Sequence, residues 1–230
     1  MIPRTPHPTA IALLLSLSGT TLASAADLAP VYKAPPSVPS WSGFYAGLNA
    51  GYAFGDAHTA LPFNGPAVTS TYDGFIGGGQ IGFNWQTGAA VFGLEADIQY
   101  ADVKGSEILP GTTVTASNTL DWFGTARARA GFAFNSVLPY VTGGFAFGRN
   151  AYQFTDITTG NGAGGTATHT GWAIGGGIEF AVREAWSLKL EYLHVDLGSQ
   201  NTVRGIPFAN EVTPIDLKFD LVRMGANYRF

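Results

Sequence analysis

At 230 residues the chain is long enough for one large domain or two small ones, and without cysteine it has no disulfide framework, thiol nucleophile or cysteine metal site. A formal net charge of −4 excludes the basic footprint of a nucleic-acid binder. Charged residues are 12% of the chain, against roughly 25% in soluble domains, while 13% are aromatic and 31 residues are glycine, so the surface is poorly equipped to face water alone.

The first element is an address. Arg4 gives a weakly positive start, Ala10 to Leu17 form a short apolar run, and Ala23-Ser24-Ala25 is a small-residue cleavage site. Residues 1–25 therefore read as a secretory signal peptide, with an apolar core too short to span a bilayer. Residues 26–40, ADLAPVYKAPPSVPS, carry Pro30, Pro35, Pro36 and Pro39 and read as an extended tether on the periplasmic side. The remainder, 41–230, reads as one β domain.

From Trp41 onward the dominant period is two. In residues 43–54 one face carries Phe44, Ala46, Leu48, Ala50, Tyr52 and Phe54, and the other Tyr45, Asn49 and glycines. That pattern predicts a strand with one apolar face. The stretch GFIGGGQIGFNW, 74–85, continues the alternation through Gly77, Gly79 and Gly82. These have the spacing of a dinucleotide loop, but a turn at Thr87-Gly88 and a further strand follow, leaving no room for the helix such a loop must open.

Further alternating segments fall at 90–102, 119–134, 138–150, 170–182, 186–196 and 217–230, making eight strands. The connections near Thr87-Gly88, Asn135-Ser136 and Arg183-Glu184 are tight; those at about 55–72, 103–118, 151–168 and 198–215 are long, polar and turn-rich. The expected fold is all-β: an eight-stranded antiparallel transmembrane β-barrel with four long outer loops and three short periplasmic turns. Strands in lipid leave no unpaired edge, so the barrel must close.

A lipocalin-like barrel would turn the apolar faces inward, crowding many aromatics into a narrow interior. The reverse orientation accounts for two aromatic girdles. Phe83, Trp85, Phe132, Phe134, Phe180, Trp186, Tyr228 and Phe230 lie near the short turns, and Tyr52, Phe54, Tyr100, Trp122, Phe147, Trp172 and Tyr192 near the long loops. Trp122 and Phe132, on one strand, are separated along the membrane normal by roughly 25 Å, the height of such a barrel's apolar band.

The lumen face then holds Glu95, Asp97, Arg127, Arg129, Glu179, Lys189, Glu191, Arg223 and Arg229. Both signs alternate around the ring, Glu95 and Asp97 beside the strand of Arg127 and Arg129, and Glu179 across a tight turn from Lys189. Buried charge must be paired or wet, so these form either a salt-bridge plug or the lining of a narrow water path. Catalysis is not expected, because the interior of an eight-stranded barrel is about filled by its own side chains. His58 is assigned to the first loop, His169 to a loop–strand edge and His194 to a strand end. No paired-histidine spacing accompanies them, so neither a cofactor nor a metal site is expected.

The blocks WSGFYAGLNAGY (41–52), GGGQIGFNW (77–85), FGLEAD (92–97) and DWFGTARARAG (121–131), with the closing Tyr228-Arg229-Phe230, resemble the alphaproteobacterial outer-membrane immunogenic proteins of the RopB type, often labelled the "porin family". The resemblance covers essentially the whole mature chain. It implies location in the cell outer membrane, contact with its lipids, and surface-exposed loops. It also implies that Tyr228 and Phe230 act as the C-terminal signal read by the barrel-assembly machinery. Relatives include surface antigens and haem binders. Three functions follow as expectations: a structural and surface role with a plugged lumen, a narrow pore for small solutes, or loops that bind haem or a host ligand.

Overall fold

A computed structural model describes residues 40–59, 68–109, 111–203 and 212–230. The signal peptide and all of the tether but Ser40 lie outside the described residues. Eight strands follow in order: β1 Gly43–Thr59, β2 Val68–Thr87, β3 Ala90–Ile108, β4 Val114–Phe132, β5 Val137–Asp156, β6 Gly162–Ala181, β7 Trp186–Val203 and β8 Val212–Arg229. Each pairs antiparallel with its chain neighbours, and β1 pairs with β8 to close the barrel.

The three tight turns lie where the sequence places them. Thr87-Gly88-Ala89 turns with Gly88 at φ +60, which suits a residue without a Cβ. Gly77, Gly79 and Gly82 lie inside β2, paired to β1 and β3, so they hold no phosphate loop. Inward glycines instead make room for large neighbours. A Cβ on Gly82 would run into the Tyr45 ring, and one on Gly93 would press on Arg129 at 3.1 Å. Outward Gly124 is covered by the Phe147 ring, which also packs edge-on against Trp122.

The strands continue well into the segments that read as outer loops. β3 ends at Ile108 and β4 begins at Val114, while β5 ends at Asp156 and β6 begins at Gly162. Much of each described outer excursion is thus strand protruding beyond the outer girdle.

Along β7 and β8 the two faces exchange character at that girdle. Below it the exposed residues are Trp186, Leu188, Leu190 and Tyr192 on β7, and Val222, Met224 and Tyr228 on β8. Above it His194, Asp196, Lys218 and Asp220 face out, while Leu193, Val195, Leu197, Leu217, Phe219 and Leu221 are buried inside. Phe123, Leu120, Val103 and Ile76 complete this inner apolar cluster, with Phe123 and Phe219 packed edge-on at 5.2 Å. The lower part of the barrel is thus built for lipid and the upper part for water.

A smaller cluster closes the periplasmic end, where Trp41 is fully buried against Val91 and Leu138. The Arg229 guanidinium lies over the Trp41 ring at 4.7 Å and donates to the carbonyls of Ser40 and Glu184.

Candidate functional site

The lumen is stacked in three layers: the Trp41 cluster at the periplasmic end, a charged layer, and the apolar cluster above. The charged layer exists because β3, β4, β6, β7 and β8 turn alternate residues inward at one level. Glu95 is paired in register with Arg127, and Glu191 with Arg223.

Glu95, Asp97, Glu179 and Glu191 meet Arg127, Arg129, Lys189 and Arg223 in one ion-pair network, four acids against four bases with formal charge zero. Arg127 is the hub. Its Nη2 lies 2.6 Å from Glu95 Oε1 and 2.9 Å from Asp97 Oδ2, and its Nη1 lies 3.2 Å from Glu191 Oε1. Arg223 donates from Nε to Glu191 Oε2 at 2.7 Å and reaches Asp97 at 3.1 Å through Nη2. Lys189 Nζ contacts both Glu95 oxygens, at 2.8 and 2.9 Å. All eight side chains belong to residues no more than 6% exposed.

The sequence places Glu179 across a tight turn from Lys189, and the two are cross-strand neighbours. They are not ion partners: Glu179 pairs with Arg129 at 2.7 Å, and Lys189 with Glu95. One sequence expectation about this layer needs correction. Arg229 stands apart from the network: its two terminal nitrogens bond backbone carbonyls, and it seats Trp41 at the periplasmic end.

Several members were not picked out by the sequence reading. Tyr45 donates to Glu95 at 2.8 Å, Tyr140 to Glu191 at 2.9 Å, Thr125 to Asp97 at 2.7 Å, and Ser187 and Asn227 to Glu179 at 2.5 and 2.9 Å. Arg129 also lies 4.0 Å from the Tyr140 ring centroid. These neutral donors fill the remaining carboxylate lone pairs, as burial demands. Their inward phase was the available signal; their residue types, common on any strand, concealed it.

The histidines do not converge. His169 is not at a loop–strand edge: it points into the upper lumen, 1% exposed, because its phase on β6 is inward. His194 lies within β7 on the outer face, its Nδ1 2.8 Å from Asp220 Oδ1 and its ring 5.6 Å from Trp172. His58 belongs to β1, opposite Thr69 and Asp216, and its side chain lies outside the described residues. Tyr228 and Phe230 face outward at the periplasmic rim, 5.3 Å apart and next to Trp186.

Residues 10–230 match the family described as the outer membrane protein beta-barrel domain. The chain is 35% identical to the 31 kDa outer-membrane immunogenic protein of Brucella melitensis biotype 1, over 95% of this chain and 99% of that one. It is 33% identical to a 22 kDa outer membrane protein of Rhizobium leguminosarum bv. viciae, over 70% and 67%. Among solved structures, OprG from Pseudomonas aeruginosa aligns with 82% of this chain and 97% of its own, at 14% identity and a TM-score of 0.46.

Proposed function

Because the chain belongs to the outer-membrane β-barrel family and is a protein of the Gram-negative outer membrane, we propose that it is a sealed, non-catalytic barrel serving the envelope mechanically and through its outer surface. The reading rests on one observation: a charge-neutral network whose hub, Arg127, touches acids from two other strands, with an apolar layer directly above it. A hydrated ion moving along the axis would have to break several buried pairs and then cross a layer lined by Leu, Val and Phe. Both steps are costly in a low-dielectric interior. Tyr228 and Phe230, the outward aromatics that end β8, are assigned the assembly signal.

Planar-bilayer recording of the refolded mature protein, residues 26–230, tests the reading. The expected result is a silent membrane from protein that runs as a heat-modifiable band in detergent gels. Discrete conductance steps that change on Glu95→Gln would replace it with a narrow pore whose filter is the charged layer.

A further inference from the structure

The barrel wall is not fully zipped at its outer end. The β6–β7 ladder runs from Ala181–Ser187 up to Trp172–Asp196 and stops there. The β5–β6 ladder continues to Thr155–Gly162, and the β7–β8 ladder to Val203–Val212. Gly198 of β7 still lies against Thr170, but from Thr168 outward β6 keeps β5 on one side, and among the described residues nothing pairs with its other side.

The cause is local. Leu197 and Gly198 together oppose the single residue Leu217, a bulge in which Gly198 sits at φ +68. Such a bulge bends its strand and sharpens the twist, and the β6–β7 ladder ends beside it.

The freed edge is GAGGTAT, residues 162–168. Proteins ordinarily protect an exposed edge with lysine, proline or inward-pointing charge. This one has no Pro, Lys, Arg, Asp, Glu or His. It lies beyond the outer girdle residue Trp172, and its seven strand residues span about 20 Å of strand above that level. Its unpaired backbone groups therefore face water and not lipid.

We propose that this edge of β6 is a docking site for an extended polypeptide segment of another protein, which adds as a strand. Every second residue of the edge turns an N–H and a C=O to the open side, so recognition is mainly through the main chain. The edge's own side chains are small on both faces: Gly162, Gly164 and Thr166 outward, Ala163, Gly165 and Ala167 inward, with the Tyr152 ring of β5 lying over Gly165 and Arg149 reaching Thr166 at 3.5 Å. The fitting segment is uncharged and rich in β-branched or aromatic residues, which would cover those glycines.

Other occupants fit less well. Ser40, the last residue of the tether segment, lies beside Trp41 and Arg229 at the periplasmic end. Two copies in one membrane would run their β6 strands in the same direction. A two-fold axis along parallel strands sets N–H against N–H and carbonyl against carbonyl at each level, so no regular ladder forms.

The test is hydrogen exchange on the mature barrel in lipid nanodiscs, with and without an acetylated peptide of alternating threonine and valine matched in length to the edge. Alone, alternate amides in 162–168 should exchange quickly while those of 172–181 stay protected. The peptide should slow the fast set by at least about tenfold, and the same peptide N-methylated at alternate positions should not. Protection without peptide would overturn the proposal. If independent of protein concentration, it would mean that residues 204–211 cover the edge; if concentration-dependent, that a second copy does. Fast exchange that the peptide leaves unchanged would also overturn it.

Discussion

Arg127 on β4 and Glu191 on β7 meet across the lumen at 3.2 Å, although 64 residues separate them in sequence and their strands do not pair. The contact is a strut across the barrel, made possible because the inward neighbours Gly144, paired to Arg127, and Gly177, paired to Glu191, leave the lumen open at this level. Removing one member of such a buried set leaves the others uncompensated.

Arg127→Met should therefore destabilise the folded barrel by about 3–5 kcal/mol, read from urea unfolding in lipid vesicles. Combining Glu95→Gln with Lys189→Met removes one charge of each sign. That double variant should cost less than the sum of its singles, by about 0.5–3 kcal/mol. Simple additivity would mean that the two groups are not coupled.

The orientation of the wall is tested on β4. Ala126 faces outward below the girdle, and Ala126→Arg should cost about 2–4 kcal/mol in the same assay. Ser117 lies on the same strand above Trp122, and Ser117→Arg should cost about 0–1 kcal/mol, because its new charge stays in water.

Gly82 and Tyr45 form a matched pair, the ring lying where a Cβ would be. Gly82→Ala should cost about 1–3 kcal/mol through overpacking. In a Tyr45→Ala background, where the ring is gone, the same change should cost less, the remaining obstacle being the Leu94 carbonyl 2.7 Å from the new Cβ.

At the periplasmic end, Trp41→Ala leaves a cavity beside Val91 and Leu138 and strips Arg229 of the ring it covers. A loss of about 3–5 kcal/mol is expected. A negligible loss would mean that the indole is not an anchor of the closed end.

The outer tips carry a pH dependence. Asp156 accepts from the Thr158 amide at 2.8 Å and from the Thr113 hydroxyl at 3.0 Å, tying the β5–β6 tip to the β3–β4 tip. These bonds, the amide first, hold its carboxyl below the usual aspartate range. The tie is fully present above the unfolded value of about 3.9 and is lost as pH falls through the lower folded value. Amide exchange at Thr158 should therefore be unchanged from neutral pH down to that value, after correction for intrinsic rates, and rise below it. Thr113→Val should blunt the rise.

The membrane-facing architecture was legible because lipid on one side and a crowded lumen on the other impose a sharp period of two, as in Phe92 to Tyr100. The charged layer was legible for the same reason, but its partners were not: alternation fixes the wall a side chain leaves, not how far across it reaches, so the pairing of Glu179 with Arg129 could not be read and Arg229 was placed in a network it does not join. The upper barrel was hardest to read. Residues 194–196 and 217–221 fall within the strands read at 186–196 and 217–230, but their reversed polarity, with Leu193, Val195, Leu217, Phe219 and Leu221 turned inward, was not anticipated. In β6, glycine and threonine between 162 and 170 give neither face a hydrophobic mark, although the backbone pairing to β5 is unbroken.

The exchange of faces at the outer girdle also fixes how deeply the molecule floats. Sinking by two residues would draw His194 and Asp220 toward hydrocarbon; rising by two would lift Tyr192 and Val222 out of it. Each displacement is opposed on both β7 and β8 at once, as an anchored buoy resists both waves and weight. The protein is thus a depth gauge for its own membrane. A thinner or thicker bilayer cannot be met by sliding, so the lipid around it must stretch or compress to suit.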